Sequence, residues 1–295
     1  MAAVRNYLSL IKFSHTIFAM PFALIGFALG YRSLSMESGA PDAYALLVKL
    51  SLVIACMVFA RSAAMAFNRF LDRAIDARNP RTAAREIPAG ILSANQVLWF
   101  TVFNGIAFIA CTWFINRLCF LLSPIALFVV LFYSYTKRFT ALCHLVLGLG
   151  LSLAPIGAYL AVRGEFDWLP LLFSLAVLSW VSGFDVIYAL QDEEFDKKES
   201  LHSIPAMIGK KSALRVSEWL HIISFGCILA AGLYVQWGIA YWLGMLLFTS
   251  MLLYQHLIVK PDDLSRVNLA FMTTNGIASV IFAFFTILDL YYHQF

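Results

Sequence analysis

Residues 43–76 read AYALLVKLSLVIACMVFARSAAMAFNRFLDRAID. A helix needs about 20 apolar residues to cross a bilayer, and the run from Ala43 to Phe70 supplies them before ending in two carboxylates, Asp72 and Asp76. At about 100° per residue, Arg61, Asn68, Asp72 and Asp76 share one stripe of that helix. Carboxylates at i and i+4 lie about 5–6 Å apart at their Cβ atoms. That spacing lets both reach one metal ion, or two bridged by phosphate oxygens.

The rest of the chain repeats the apolar theme. Of 295 residues, 61% are hydrophobic and 13% charged, where a soluble domain carries about 25% charged residues. Mean hydropathy is +0.80. Spanning stretches recur near 13–33, 43–70, 95–115, 118–135, 142–162, 168–190, 215–235, 238–258 and 268–290. This predicts an all-α integral membrane protein of nine transmembrane helices, one domain over 1–295, with the lipid bilayer as its solvent. The basic residues sit in short loops without an extended basic face, so nucleic acid is excluded as a partner.

The cations are distributed unevenly. Apart from Lys49 and Arg61 inside the second helix, only Arg32, Arg117 and Arg163 lie in the odd-numbered connections, and the others gather at the N-terminus and in the even-numbered ones. The positive-inside rule then puts the N-terminus and both long polar segments, 72–94 and 191–214, in the cytoplasm. The run from Phe13 to Tyr31 has no convincing cleavage site and reads as an uncleaved first span in a bacterial inner membrane.

A second acidic stretch echoes the first. Leu71-Asp72-Arg-Ala-Ile-Asp76 is matched by Gln191-Asp192-Glu-Glu-Phe-Asp196, and Ile87-Pro88-Ala89 by Ile204-Pro205-Ala206. Four helices separate the copies, so both return to the same membrane face and can share one site. Asp185, Asp192 and Asp196 are expected on one stripe with Tyr188 beside it, and Glu193 and Glu194 turned off it into solvent. Four carboxylates brought together repel unless cations lie between them. Mg²⁺ suits that arrangement, since it takes one or two carboxylates plus phosphate oxygens and water. Arg61 and Asp185 fall inside the apolar region, where a charge must be paired or face a cavity. They are either a structural ion pair or part of a substrate chamber. Arg78, Arg81 and Arg85 follow the first motif, and Lys137 and Arg138 end the fourth helix on the same face; these can grip phosphate.

At this point the residues resemble a known family. Asn68-Arg-Phe-Leu-Asp72-Arg-Ala-Ile-Asp76, followed by Asn79-Pro-Arg81-Thr-Ala-Ala-Arg85-Glu-Ile-Pro-Ala-Gly90, resembles the first signature of the UbiA-type intramembrane prenyltransferases. Tyr188-Ala-Leu-Gln-Asp192-Glu-Glu-Phe-Asp196 resembles the second, and Ser14-His15-Thr16…Pro21-Phe22 resembles the opening of the family. Many relatives carry Asp directly after the first Asn, where this chain has Arg69, leaving one fewer carboxylate.

The resemblance implies a bundle of nine helices around a central chamber open sideways to lipid, in the 4-hydroxybenzoate polyprenyltransferase-like branch. It implies Mg²⁺ held by Asn68, Asp72, Asp76, Asp192 and Asp196, and a polyprenyl diphosphate bound by Asn68, Arg78, Arg81, Arg85, Lys137 and Arg138. Asp72, Asp192, Arg61, Asp185 and Tyr188 are the expected catalytic residues, with Arg61 orienting the carboxylate of a small aromatic acceptor. That acceptor is expected to be 4-hydroxybenzoate, in ubiquinone synthesis, or a dihydroxynaphthoate, in menaquinone synthesis. A cation-coupled transporter would instead call for midplane charges and an inverted repeat, and a scaffold gives no reason for duplicated acidic motifs.

Overall fold

The structure, a computed structural model, describes residues 2–11, 18–39 and 41–292. Lys12, Ser14, His15 and Thr16, and the side chain of Arg5, lie outside the described residues. The elements are α1 (Ala2–Leu10), α2 (Met20–Ser38), α3 (Ala43–Arg78), α4 (Ala94–Ile115), α5 (Arg117–Thr136), α6 (Cys143–Arg163), α7 (Trp168–Ala189), α8 (Glu193–Lys198), α9 (Ile204–Val235), α10 (Ile239–Ile258) and α11 (Asn275–Tyr292). A 3₁₀ turn, Leu190–Asp192, joins α7 to α8, and a π turn, Leu269–Thr274, leads into α11. No strand occurs among the described residues.

The caps show why the helices begin and end where they do. Asp42 accepts a hydrogen bond from the Ala45 amide at 2.9 Å to open α3, and Asn79 followed by Pro80 closes it, since proline cannot continue a helix. Ser93 and Gln96 form a reciprocal capping box at α4, satisfying two free donors at once. Asn116 ends α4 and caps α5.

A long helix lies at each of the nine expected places. Eight of them are long and apolar enough to cross a membrane. The remaining one, α2, ends in the polar stretch Arg32–Ser38, which lowers its hydropathy. Helix α2 spans Met20–Ser38 where 13–33 was expected, residues 13–17 lying outside the described ones, and two further boundaries differ markedly. Helix α3 runs on to Arg78, carrying both acids of the first motif as a helical extension of its span. Helix α9 starts at Ile204 and not near 215, capped by Ser203 and broken at Gly209, whose φ of 76° interrupts the helical backbone.

Helix α7 is the centre of the bundle, packed against α6 on one side and α9 on another, while α2 lies on α6 and α10 pairs with α11. Small residues let these backbones approach, as is usual between membrane helices. A Cβ on Gly148 would meet the Leu178 carbonyl oxygen at 2.4 Å, and one on Gly26 the Pro155 carbonyl oxygen at 2.0 Å. An aromatic core of Phe22, Phe173, Trp180, Tyr241, Phe248 and Phe282 fills the middle. Trp180 Nε1 and Gln255 Nε2 both donate to Asn275 Oδ1 at 2.8 Å. The buried Asp289 of α11 accepts from the amides of Gly238, Ala240 and Tyr241 at 2.7, 3.1 and 3.3 Å, holding the free N–H groups that open α10. Helices α4 and α5 turn large side chains outward, Trp99, Phe103, Trp113, Phe114, Ile125 and Phe128 among them, a lipid-facing surface.

Candidate active site

One end of the bundle encloses a cavity of about 580 Å³, walled by α3, the 79–93 connection, the end of α5, the start of α6 and the end of α7. Asn68, Asp72, Asp76, Arg61, Arg81, Arg85, Lys137, Arg138, Asp185, Tyr188 and Asp192 all line it. The two acidic motifs therefore converge. Lys137 and Arg138 stand between them: Arg138 bonds Asp72 of the first motif and Lys137 bonds Asp196 of the second, each at 2.7 Å.

Each carboxylate of the motifs has a cation. Asp72 also accepts from Asn68 Nδ2 at 2.9 Å. Asp76 takes Arg85 at 2.6 Å, and its Oδ2 is buried without a hydrogen-bond partner. Asp192 takes Arg81 through two bonds, at 2.9 and 2.5 Å, and Asn79 Nδ2 at 3.2 Å. Arg81 also donates to Tyr188 Oη at 3.1 Å and lies over that ring, 5.3 Å from its centroid. Burial opposes the charge on Arg81, but its bonds to Asp192 and Tyr188 outweigh that and hold it above the ordinary guanidinium range.

Three expectations need correcting, and of the two readings left open for Arg61 and Asp185 the ion pair does not form while both line the cavity. The 3₁₀ turn at Leu190–Asp192 winds about three residues per turn, so Asp185, Asp192 and Asp196 do not form one stripe. Asp192 faces the cavity, whereas Asp196 is wholly buried away from the wall, bonded to Lys137 and Ser203. Arg78 lies outside the wall and pairs with Glu199 near the surface. Glu193 is buried, with Lys197 at 2.6 Å and Lys210 at 3.9 Å, because α8 folds back beside the start of α9; Glu194 is exposed as expected. Arg61 and Asp185 are not an ion pair. Asp185 bonds His144 Nδ1 at 2.7 Å, and His144 Nε2 accepts from the Ile204 amide at 3.3 Å. Arg61 has no bonded partner among the described residues, and its Nε is buried.

Several wall residues escaped the sequence reading: Arg69, Asn79, Glu86, Tyr133 and His144. Arg69, Asn79 and Glu86 sit in the first signature and could have been taken from it. Nothing in sequence brings His144 to Asp185.

The donor set suits a hard cation. It is all oxygen, from Asp carboxylates and the Asn68 amide, and the orphaned Oδ2 of Asp76 is an acceptor awaiting a positive partner. No three Asp, Glu, His or Cys side chains are grouped closely enough to cage a metal among the described residues. The residues fit Mg²⁺ that completes its shell with phosphate oxygens and water.

The model of the UbiA prenyltransferase family matches residues 16–283. A 4-hydroxybenzoate octaprenyltransferase from Nitrosomonas europaea is 31% identical over 83% of this chain and 82% of its own length. The enzyme of that name from Tolumonas auensis is 30% identical over 79% of this chain and 82% of its own. Among solved structures, the apo UbiA homolog from Aeropyrum pernix K1 superposes with TM-score 0.81 at 31% identity, covering 93% of this chain and 98% of that one. An Archaeoglobus fulgidus homolog bound to DMAPP and Mg²⁺ shares the fold, with TM-score 0.74 at 20% identity over 98% of this chain and 100% of that one.

Proposed function

The chain belongs to the UbiA prenyltransferase family, and from that premise we propose that it moves a polyprenyl group from polyprenyl diphosphate to a hydroxylated aromatic acid, 4-hydroxybenzoate foremost. The enzyme is a multi-pass membrane prenyltransferase; the donor, the acceptor, Mg²⁺ and the residue roles are the parts proposed. The names of the two bacterial relatives and the ligands of the Archaeoglobus homolog support them.

The observation that carries the acceptor is Arg61. It is a guanidinium in the cavity wall, about two helical turns deeper than Asn68, with no bonded partner among the described residues. A buried unpaired charge is costly, so the position calls for an anion, and a carboxylate fits the planar fork in bidentate fashion. Dihydroxynaphthoate offers the same carboxylate and is the alternative acceptor.

Asn68, Asp72, Asp76 and Asp192 would hold Mg²⁺ together with diphosphate oxygens. Bound there, it would neutralise the diphosphate and make it a better leaving group. Arg81, Arg85, Lys137 and Arg138 add fixed positive charge where negative charge builds up on the departing oxygens. Phe184, Phe271, Leu147, Leu151 and Val181 wall off water from the allylic cation, and aromatic faces attract such a cation. The carboxylate of Asp185, oriented by His144, and the hydroxyl of Tyr188, oriented by Arg81, lie where the ring would react. Asp196 serves as a strut that fixes Lys137. The site faces the cytoplasm of a bacterial inner membrane, as the cation bias requires.

Purified enzyme given a prenyl diphosphate should consume 4-hydroxybenzoate, stop on EDTA addition and recover with Mg²⁺. Consumption of dihydroxynaphthoate alone would move the assignment to the alternative. Turnover of a carboxylate-free phenol with neither acid used would remove Arg61 from its role.

A further inference from the structure

Among the described residues, six arginine and lysine side chains line the cavity. Four are matched by a carboxylate: Arg81 by Asp192, Arg85 by Asp76, Lys137 by Asp196 and Arg138 by Asp72. The two left over are Arg61 and Arg69. Arg69 is 5% exposed, and its buried Nε has no hydrogen-bond partner. It faces Arg85, Asp76, Tyr133 and Glu86 and bonds none of them.

We infer that Arg69 is a diphosphate-binding residue, a fixed cation that takes up part of the prenyl diphosphate's charge without a metal ion. Arg69 and Arg85 repel across the wall; Asp76, already bonded to Arg85, and Glu86, bonded to Ser9, lie beside Arg69 without bonding it, and an anion between the two cations relieves the repulsion. Of the two substrate anions, the diphosphate is the one that belongs here. Arg69 adjoins Asn68 and lies beside Asp76, Arg85 and Glu86, whereas Arg61 stands about two helical turns away along α3. A phosphate group can accept two parallel N–H bonds from one guanidinium. Where similar signatures place an Asp that attracts a cation, this chain places the cation itself. The inference rests on the prenyl diphosphate reading above.

The test uses the full chain purified in detergent. An unreactive prenyl thiolodiphosphate is titrated in EDTA and again in Mg²⁺, following affinity and the melting temperature. The wild type should bind the analogue in EDTA, and more tightly in Mg²⁺. Arg69→Gln should weaken binding in EDTA about ten-fold or more, as loss of a charge-assisted pair does. Its ligand-free melting temperature should be unchanged or higher, because an unpaired buried charge has been removed. Arg69→Lys should recover part of the affinity. Arg61→Gln should leave the analogue's affinity within about two-fold and raise KM for the acceptor alone.

Three results overturn the inference while leaving the prenyl diphosphate reading intact. These are wild-type binding in Mg²⁺ but none in EDTA, Arg69→Gln binding like the wild type, and a lower ligand-free melting temperature for Arg69→Gln. Failure of the wild type to bind the analogue even in Mg²⁺ brings down both.

Discussion

The two acidic motifs have the same four-residue spacing and occupy different backbones. Asp72 and Asp76 ride on an unbroken α3, so both look into the cavity. Asp192 closes a 3₁₀ turn and Asp196 belongs to α8, so one faces the cavity and the other is buried behind it. A repeat in sequence preserves which residues occur and how far apart they are. It does not preserve direction, because one tight turn re-aims everything after it. The first motif is a two-acid surface, the second a single acid with a buried strut.

The largest effects should come from the acids that share the cavity. Asp72→Asn and Asp192→Asn should each lower kcat by at least about 10²-fold in a folded protein, the scale for losing one electrostatic group from a transition-state site. A variant with normal turnover would remove its residue from the site. Asp196→Asn should divide the motifs. It weakens the bond between buried Asp196 and the partly exposed Lys137, so it should cost about 1.5–3 kcal/mol of stability, read by melting, with a smaller fall in kcat than Asp192→Asn. If Asp196→Asn instead matches Asp192→Asn in kcat and melts normally, the two motifs act alike and the comparison fails.

A subtler test lies in Arg81. Its folded-state pKa is raised, so its pairing with Asp192 persists as pH rises and is lost only above the ordinary guanidinium range. Arg81→Lys loses the fork and should lower kcat/KM about ten-fold near neutrality. It should lose more as pH rises through the ordinary lysine range near about 10, a decline the wild type should lack. Arg78→Ala should do least. Its exposed pair with Glu199 is worth about 0.5 kcal/mol, and turnover should stay within about two-fold of wild type.

The spans were legible in sequence because hydropathy over 20 residues is a coarse signal that single contacts cannot upset. The meeting of Asp72, Asp76 and Asp192 followed from counting crossings between two matched motifs. The 3₁₀ turn was hidden: Leu190-Gln191-Asp192 contains no proline or glycine to mark it. The early start of α9 was signalled by Ser203 before Pro205, a cap followed by a residue that favours the first helical turn. Lys210, Lys211 and Arg215 masked it, because polar residues suit the water-exposed beginning of a helix as well as they suit a loop. Asp185 was placed correctly and its partner was not, since His144 comes from a different helix and no local spacing links the two.

Asp289 has a consequence for how the chain is made. Its carboxylate closes the opening turn of α10 from a position about 50 residues later in the chain. During translation α10 therefore emerges with those amides uncapped and stays so until α11 has been synthesised and inserted beside it. The opening turn of α10 gains this cap only when α11 packs alongside it. A chain cut before residue 289 would leave the amides of Gly238, Ala240 and Tyr241 without their carboxylate acceptor.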